Sequence, residues 1–341
     1  MLLLKFATSI RYHSTGKQFE SKMINKRIVI HVGLPKTAST YLQEKVFPFL
    51  DDIFYVGRPY TQENHAFNML MYADETVYDE SCVEEEIDRL KQCSGDKDTI
   101  LISDEMLSGY PLWSYSNRSL IARRLARVCP HAEIVIFLRN PLDLIKSLYN
   151  QYAKIGWIDL PLIGGFIGEP GKGYGLDKWL SSPDVSCWDP SRRYISHRCC
   201  VSVLHFNYLP LYELYLSLFS NVHVFSYEEF CGSRELQLDR LISILGCSFN
   251  FDESSQVFAA HERAEKVNLR LRDEAIPARI FQNKMARVFK LLGHHRLLPI
   301  YSLFIRSRGA STTDDDLNEM LERNGIAELN KQLEFILSKN V

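Results

Sequence analysis

The chain has 341 residues, 46% apolar and 24% charged, enough to bury one large core or two modest ones in an ordinary globular protein. Its 40 Lys and Arg against 42 Asp and Glu leave a net charge of −2, which excludes the bulk positive field of a protein that tracks nucleic-acid phosphates. No stretch approaches the ~20 uninterrupted apolar residues of a bilayer crossing, because the most apolar window, 291–305, is broken by His294, His295, Arg296 and Pro299.

Residues 1–22 carry Lys5, Arg11, His13 and Lys17 with no acid before Glu20, a weakly targeting-like composition. Met23 then opens the run Met-Ile-Asn-Lys-Arg directly before the first strand pattern, so 1–22 is read as a dispensable extension, 23–260 as the main domain and 261–341 as a helical region packed on it. The apolar, β-branched run 27–33 predicts a strand buried on both faces of a parallel sheet, and 99–103, 133–138 and 221–225 repeat the pattern. Helical periodicity separates them at 83–92, 119–128, 208–218 and 235–245. This alternation predicts an α/β fold of three layers, a central, mainly parallel sheet with helices on both faces, followed by C-terminal helices.

Some boundaries are sharper. Asn140 is a good N-cap, Pro141 suits the first helical position, Asp143 suits the positive helix end, and Gly156 and Gly246 read as helix terminators. The Gly- and Pro-rich segment 160–186, with Phe166, Tyr174 and Trp179, reads as a functional loop or lid. Beyond residue 259 the pattern is helical and locally basic, ending in a helix pair at 314–324 and 327–339. The eight cysteines form no C-x-x-C pair and read as reduced, structural thiols. Cys199 and Cys200, near His197 and His205, lack the four-ligand spacing of a zinc site, and no metal is expected.

Two segments carry chemistry. After the first strand, Gly33-Leu34-Pro35-Lys36-Thr37-Ala38-Ser39-Thr40-Tyr41-Leu42 is a loop of small and polar residues opening into a helix. Amides at a helix start bind anionic oxygens, Lys36 adds a charge, and Thr37, Ser39 and Thr40 add hydroxyls. A nucleotide-kinase loop needs Gly-x-x-x-x-Gly-Lys-Ser/Thr, whereas Lys36 follows Gly33 too early and the second glycine is missing. The loop therefore suits a terminal sulfate or phosphate and offers no evident Mg²⁺ ligand. The second segment ends a buried strand at Arg139 and places Ser147 about two helical turns beyond Asn140, so that one anion can bridge guanidinium and hydroxyl.

Together these segments resemble the sulfotransferases that use 3′-phosphoadenosine 5′-phosphosulfate, closest in character to bacterial carbohydrate-type members. The resemblance covers roughly 26–268. It implies that Pro35-Lys36-Thr37-Ala38-Ser39-Thr40 and Tyr41 hold the 5′-phosphosulfate, with Ala38 standing for a usual Gly, and that Arg139 and Ser147 bind the 3′-phosphate. It also implies that Tyr227, in Ser226-Tyr227-Glu228-Glu229-Phe230, frames the nucleotide, and that a basic residue of the stretch 261–268 or Asn268 covers it. The Arg-Lys-Gly element of cytosolic small-molecule members is absent.

Sulfuryl transfer asks for in-line positioning and neutralisation of the leaving oxygen. Lys36 is the candidate for that oxygen. A base for the acceptor hydroxyl is expected at the carboxyl end of the strand 99–103, with Glu105 first, Asp104 second and His65 a lesser candidate. The expected acceptor is a carbohydrate or glycolipid precursor, because Tyr149, Tyr152, Trp157, Tyr174 and Trp179 offer faces on which sugar rings stack. A cytoplasmic enzyme is expected; the basic helical region around Arg279, Lys284, Arg287, Lys290 and Arg296 reads as a solvated helix face, with peripheral contact at the inner membrane face as the other reading. A nucleotide-dependent kinase and a catalytically inactive nucleotide-binding protein are the alternatives, and the sequence leaves the oligomeric state open.

Overall fold

The structure is a computed structural model, and it describes residues 26–111, 115–155, 203–248 and 326–340. In chain order these form β1 (Arg27–His31), α1 (Ser39–Lys45), β2 (Ile53–Val56), α2 (Tyr60–Glu63), α3 (His65–Tyr72), α4 (Glu80–Cys93), β3 (Thr99–Ser103) and α5 (Arg118–Val128). They continue with β4 (Glu133–Leu138), α6 (Pro141–Ile155), α7 (Leu209–Leu218), β5 (Asn221–Ser226), α8 (Tyr227–Gly232), α9 (Arg234–Leu245) and α10 (Ile326–Ser338). Short 3₁₀ turns lie at Phe47–Phe49, Glu105–Ser108 and Val203–Phe206.

The sheet runs β2-β3-β1-β4-β5 and every pairing is parallel. β1 is therefore central, in register with β3 at Ile30 and Ile102 and with β4 at Ile30 and Ile134. Alternate side chains leave opposite faces. Ile28, Ile30, Ile100, Ile102, Ile134 and Ile136 join α3 to α7 and α10 in one apolar layer, whereas Val29, Leu101, Val135, Phe137 and Phe225 join α1, α8 and α9 in the other. This is the expected three-layer α/β, P-loop-like fold with an all-parallel sheet.

Several ends form for local reasons. Asn140 caps α6, its side-chain oxygen accepting from the amides of Leu142 at 3.0 Å and Asp143 at 3.3 Å, and Pro141 takes the first helical position. Gly246, at φ 68, closes α9 in the left-handed conformation. Arg124, fully buried on α5, donates to the carbonyls of Leu70 and Ala73 at the end of α3 and lies over the Tyr78 ring.

Two expectations change. β2 was not foreseen, so the strand before Asp104 is the third in the chain and not the second. The first strand ends at His31, two residues short of the expected run 27–33, and residues 32–38 form the loop, although the Val32 amide still donates to the Val135 carbonyl. Helix α10 corresponds to the expected 327–339, and its Leu329, Leu333 and Ile336 belong to the larger core. The segments 1–22, 160–186 and 314–324, Gly156, and the basic positions Arg279 to Arg296 lie outside the described residues. The five cysteines among the described residues, Cys82, Cys93, Cys129, Cys231 and Cys247, are free thiols. Among the described residues no helix is long and apolar enough to cross a membrane.

Candidate active site

The chain leaves β1 toward the layer of α1 and leaves β4 toward the layer of α6, so the loops at these two adjacent strand ends diverge and open a crevice, where parallel sheets bind ligands. The first wall is the loop 32–38. Pro35 followed by Lys36 at φ 70 turns the chain in the pattern of a type II turn, and Ala38 at φ 67 is left-handed again before α1 begins. Gly33, at φ 64, is required twice over: a Cβ there would stand 2.9 Å from the Ser39 hydroxyl and 3.3 Å from Glu105 Cα.

Two of the three hydroxyls expected to face an anion are turned inward. Thr37 Oγ1 donates to the Leu34 carbonyl at 2.6 Å and Ser39 Oγ donates to the same oxygen at 3.2 Å, both side chains being buried. They shape the loop, and Thr40 is the exposed hydroxyl. Tyr41 also faces the core, its ring edge-on to Phe230 at 6.0 Å with the Arg234 guanidinium over it at 5.2 Å. The first helical bond of α1 runs from the Leu42 amide to the Ala38 carbonyl, so the amides of Ser39 and Thr40 precede it and have no partner within the helix.

The second wall is Arg139, 6% exposed at the end of β4. Its Nη1 donates to the Lys36 carbonyl at 3.0 Å, and its guanidinium lies over the Tyr227 ring at 4.3 Å. Tyr208 donates its hydroxyl to the Arg139 carbonyl at 2.8 Å, and the neighbouring Asn140 amide donates to Glu228 at 2.9 Å. The three separately expected positions Lys36, Arg139 and Tyr227 are thus joined in one cluster. Arg139 Nε is buried with no hydrogen-bond partner among the described residues, an unspent donor of the kind an anion satisfies. Ser147 is half-buried on α6, two turns beyond Asn140.

At the end of β3 the paired carboxylates differ. Asp104 is fully buried and accepts from the Met106 amide at 2.9 Å, Thr61 Oγ1 at 2.7 Å, Arg58 Nη2 at 2.9 Å and, less closely, Arg58 Nε at 3.4 Å. Glu105 opens the 3₁₀ turn, its side chain 15% exposed, and accepts from Arg58 Nη1 at 3.1 Å. Burial pushes the Glu105 carboxyl above the usual range, while the charges of Arg58 and Lys36 oppose that rise. His65, at the start of α3, is exposed.

Sequence reasoning missed Arg58 and His31. His31 is fully buried at the end of β1, with Nδ1 2.8 Å from Ser103 Oγ, which also accepts from Gln43 at 3.1 Å. Burial pulls its pKa down to about 3, so the ring is neutral. A single His or Arg in a strand or turn carries no spacing signal, and only the sheet order brings these partners together. Asn268, Trp157, Tyr174 and Trp179 lie outside the described residues; Tyr149 and Tyr152 fall within α6. Among the described residues, no group of three or more His, Cys, Asp or Glu is placed to hold a metal ion.

No family model matches the chain, and no curated protein matches it. Among solved structures, a sulfotransferase from Alicyclobacillus acidocaldarius is similar, with 18% identity and a TM-score of 0.43 over 65% of this chain and 81% of that one. A likeness that weak carries no function, which has to be argued from the crevice itself.

Proposed function

We propose that the chain is a sulfotransferase that moves the sulfuryl group of 3′-phosphoadenosine 5′-phosphosulfate onto an acceptor hydroxyl. The observation that supports it best is the hydrogen bond from Arg139 to the Lys36 carbonyl, which ties two cationic segments from different strands to one crevice. A donor rich in anionic oxygens meets there the loop amides, Lys36, the unspent Arg139 Nε, and Ser147 further along α6. Tyr227, whose ring lies under the Arg139 guanidinium, is assigned to frame the nucleotide in this reading.

In this reading the acceptor oxygen forms a bond to sulfur as the bond between sulfur and the bridging phosphate oxygen breaks. Lys36 neutralises the charge that develops on the departing oxygen, and Glu105 takes the acceptor's proton. Carbohydrate is the proposed acceptor class. Tyr72, within the electrostatic reach of Asp104 and Arg58, meets Tyr110 edge to face at 6.1 Å, an aromatic pair that supports this class. A cytoplasmic location, with contact at the inner membrane face, goes with a glycolipid or polysaccharide precursor.

The test is calorimetric binding of adenosine 3′,5′-bisphosphate in EDTA beside ATP with Mg²⁺. Metal-independent binding of the bisphosphate supports the donor site, and sulfate transfer onto glycans is then assayed. Binding of Mg-ATP alone overturns the reading in favour of a kinase.

A further inference from the structure

Arg58 stands just after β2, and the chemistry proposed for Glu105 leaves it without a role. Its guanidinium is locked on one side by Asp104, through Nη2 at 2.9 Å and Nε at 3.4 Å, and presents Nη1 to Glu105 Oε1 at 3.1 Å on the other. Asp104 is held in turn by Thr61 Oγ1 and the Met106 amide. With four donors on its two oxygens and no exposure, Asp104 has little capacity left for a substrate proton. Glu105 Oε2, by contrast, accepts no hydrogen bond among the described residues.

We propose that Arg58 is the positioning residue of the general base: anchored by Asp104, its fork fixes the Glu105 carboxylate against the loop of Lys36 with Oε2 turned to the acceptor. This rests on the sulfotransferase reading, and it changes Asp104 from a second candidate base into the anchor of Arg58. The geometry favours a fixed arm. A planar guanidinium bonded twice to one carboxylate has its remaining donor aimed in one direction. Gly33 packs against the root of the Glu105 side chain, where an added Cβ would stand 3.3 Å from its Cα and Cβ, so that root is fixed beside the loop of Lys36. The charged and titratable groups facing Glu105 are Arg58 from the β2–α2 turn, Lys36 from the β1–α1 loop, Asp104 beside it and Tyr115 ahead of α5. Arg58 supplies the largest opposition to the effect of burial, so its loss favours the protonated, non-basic form.

The experiment uses the full chain with Arg58→Gln and Arg58→Lys. Bisphosphate affinity is expected to stay within about twofold of the parent, since Arg58 lies at the acceptor side. For Arg58→Gln, plateau kcat is expected to fall about 10–100-fold, with the acid limb of the kcat profile moving up by about one pH unit. Arg58→Lys keeps the charge and loses the fork, so the acid limb is expected to return most of the way while kcat recovers only in part. Independently of turnover, carboxyl infrared titration, assigned with Glu105→Gln, is expected to show Glu105 protonating at higher pH in Arg58→Gln than in the parent. An unmoved Glu105 titration overturns the proposal, as does a fully active Arg58→Gln enzyme. If no bisphosphate binds and no sulfate moves, the sulfotransferase reading fails, while the infrared titration still decides whether Arg58 governs Glu105. Should Arg58→Gln not fold, Arg58→Lys against the parent carries the test through kcat: a partial loss at a nearly unshifted acid limb is expected, and full parental kcat overturns the proposal.

Discussion

Arg139 and Lys36, which are 103 residues apart in the chain, meet through a side-chain to main-chain hydrogen bond of 3.0 Å. The contact joins the end of β4 to a loop that Lys36 itself shapes with a positive φ, so the cation on one wall holds the backbone of the other.

Replacement of Arg139 by Ala is expected to weaken binding of adenosine 3′,5′-bisphosphate by about 1.5–3 kcal/mol, the scale of a charge-assisted hydrogen bond. Binding of a ligand lacking the 3′-phosphate is spared. Titration calorimetry with both ligands separates the outcomes, and equal losses remove the assignment.

Lys36→Ala is expected to abolish transfer while retaining much of the nucleotide affinity, because the ammonium acts on the leaving oxygen. A single-turnover assay beside a binding measurement checks it. Unchanged turnover rejects the role.

Ala38 is left-handed at φ 67, a conformation that costs a residue with a Cβ and costs glycine little. Ala38→Gly is therefore expected to raise stability by about 1 kcal/mol, with transfer activity retained. Urea unfolding midpoints measure this, and a lower midpoint contradicts it.

His31 is neutral in the fold, with its pKa pulled down to about 3, and ordinary near 6.5 once unfolded. Between those values the unfolded chain binds the extra proton, so stability falls as pH drops from about 6.5 toward 3. His205, pulled down to about 4 by burial, contributes in the same direction. The non-titrating His31→Gln is expected to flatten this slope by up to one proton, read from denaturant unfolding at several pH values. An unchanged slope excludes His31 as the source.

Four of the five strands were legible because β-branched residues fill β1, β3, β4 and β5 and the helices between them keep a clear apolar period. β2 was not, since Ile53–Val56 is short, follows two aspartates and sits at the sheet edge with Phe54 and Tyr55 half-buried. The two segments that meet through Arg139 and Lys36 were singled out by spacing, and Asp104 and Glu105 by their place after a buried strand. Their shared contact with Arg58 was illegible, because Arg58 reaches them only when β2 pairs with β3. The inward hydroxyls of Thr37 and Ser39 were hidden for a similar reason: composition reports donors, and only the turn at Lys36 assigns them to Leu34.

The position of β1 has a consequence for the order of assembly. It is the earliest described strand and also the middle one, with His31 meeting Ser103 72 residues downstream and Arg27 meeting Glu133 106 residues downstream. At a synthesis rate of roughly 5–20 residues per second, this apolar strand waits on the order of ten seconds before both neighbours have been made. Such distant pairings form slowly and leave sticky edges exposed meanwhile. The crevice, walled by loops on both flanks of that strand, has no partial form: it comes into existence only when β1, the earliest described strand, is enclosed by both neighbours.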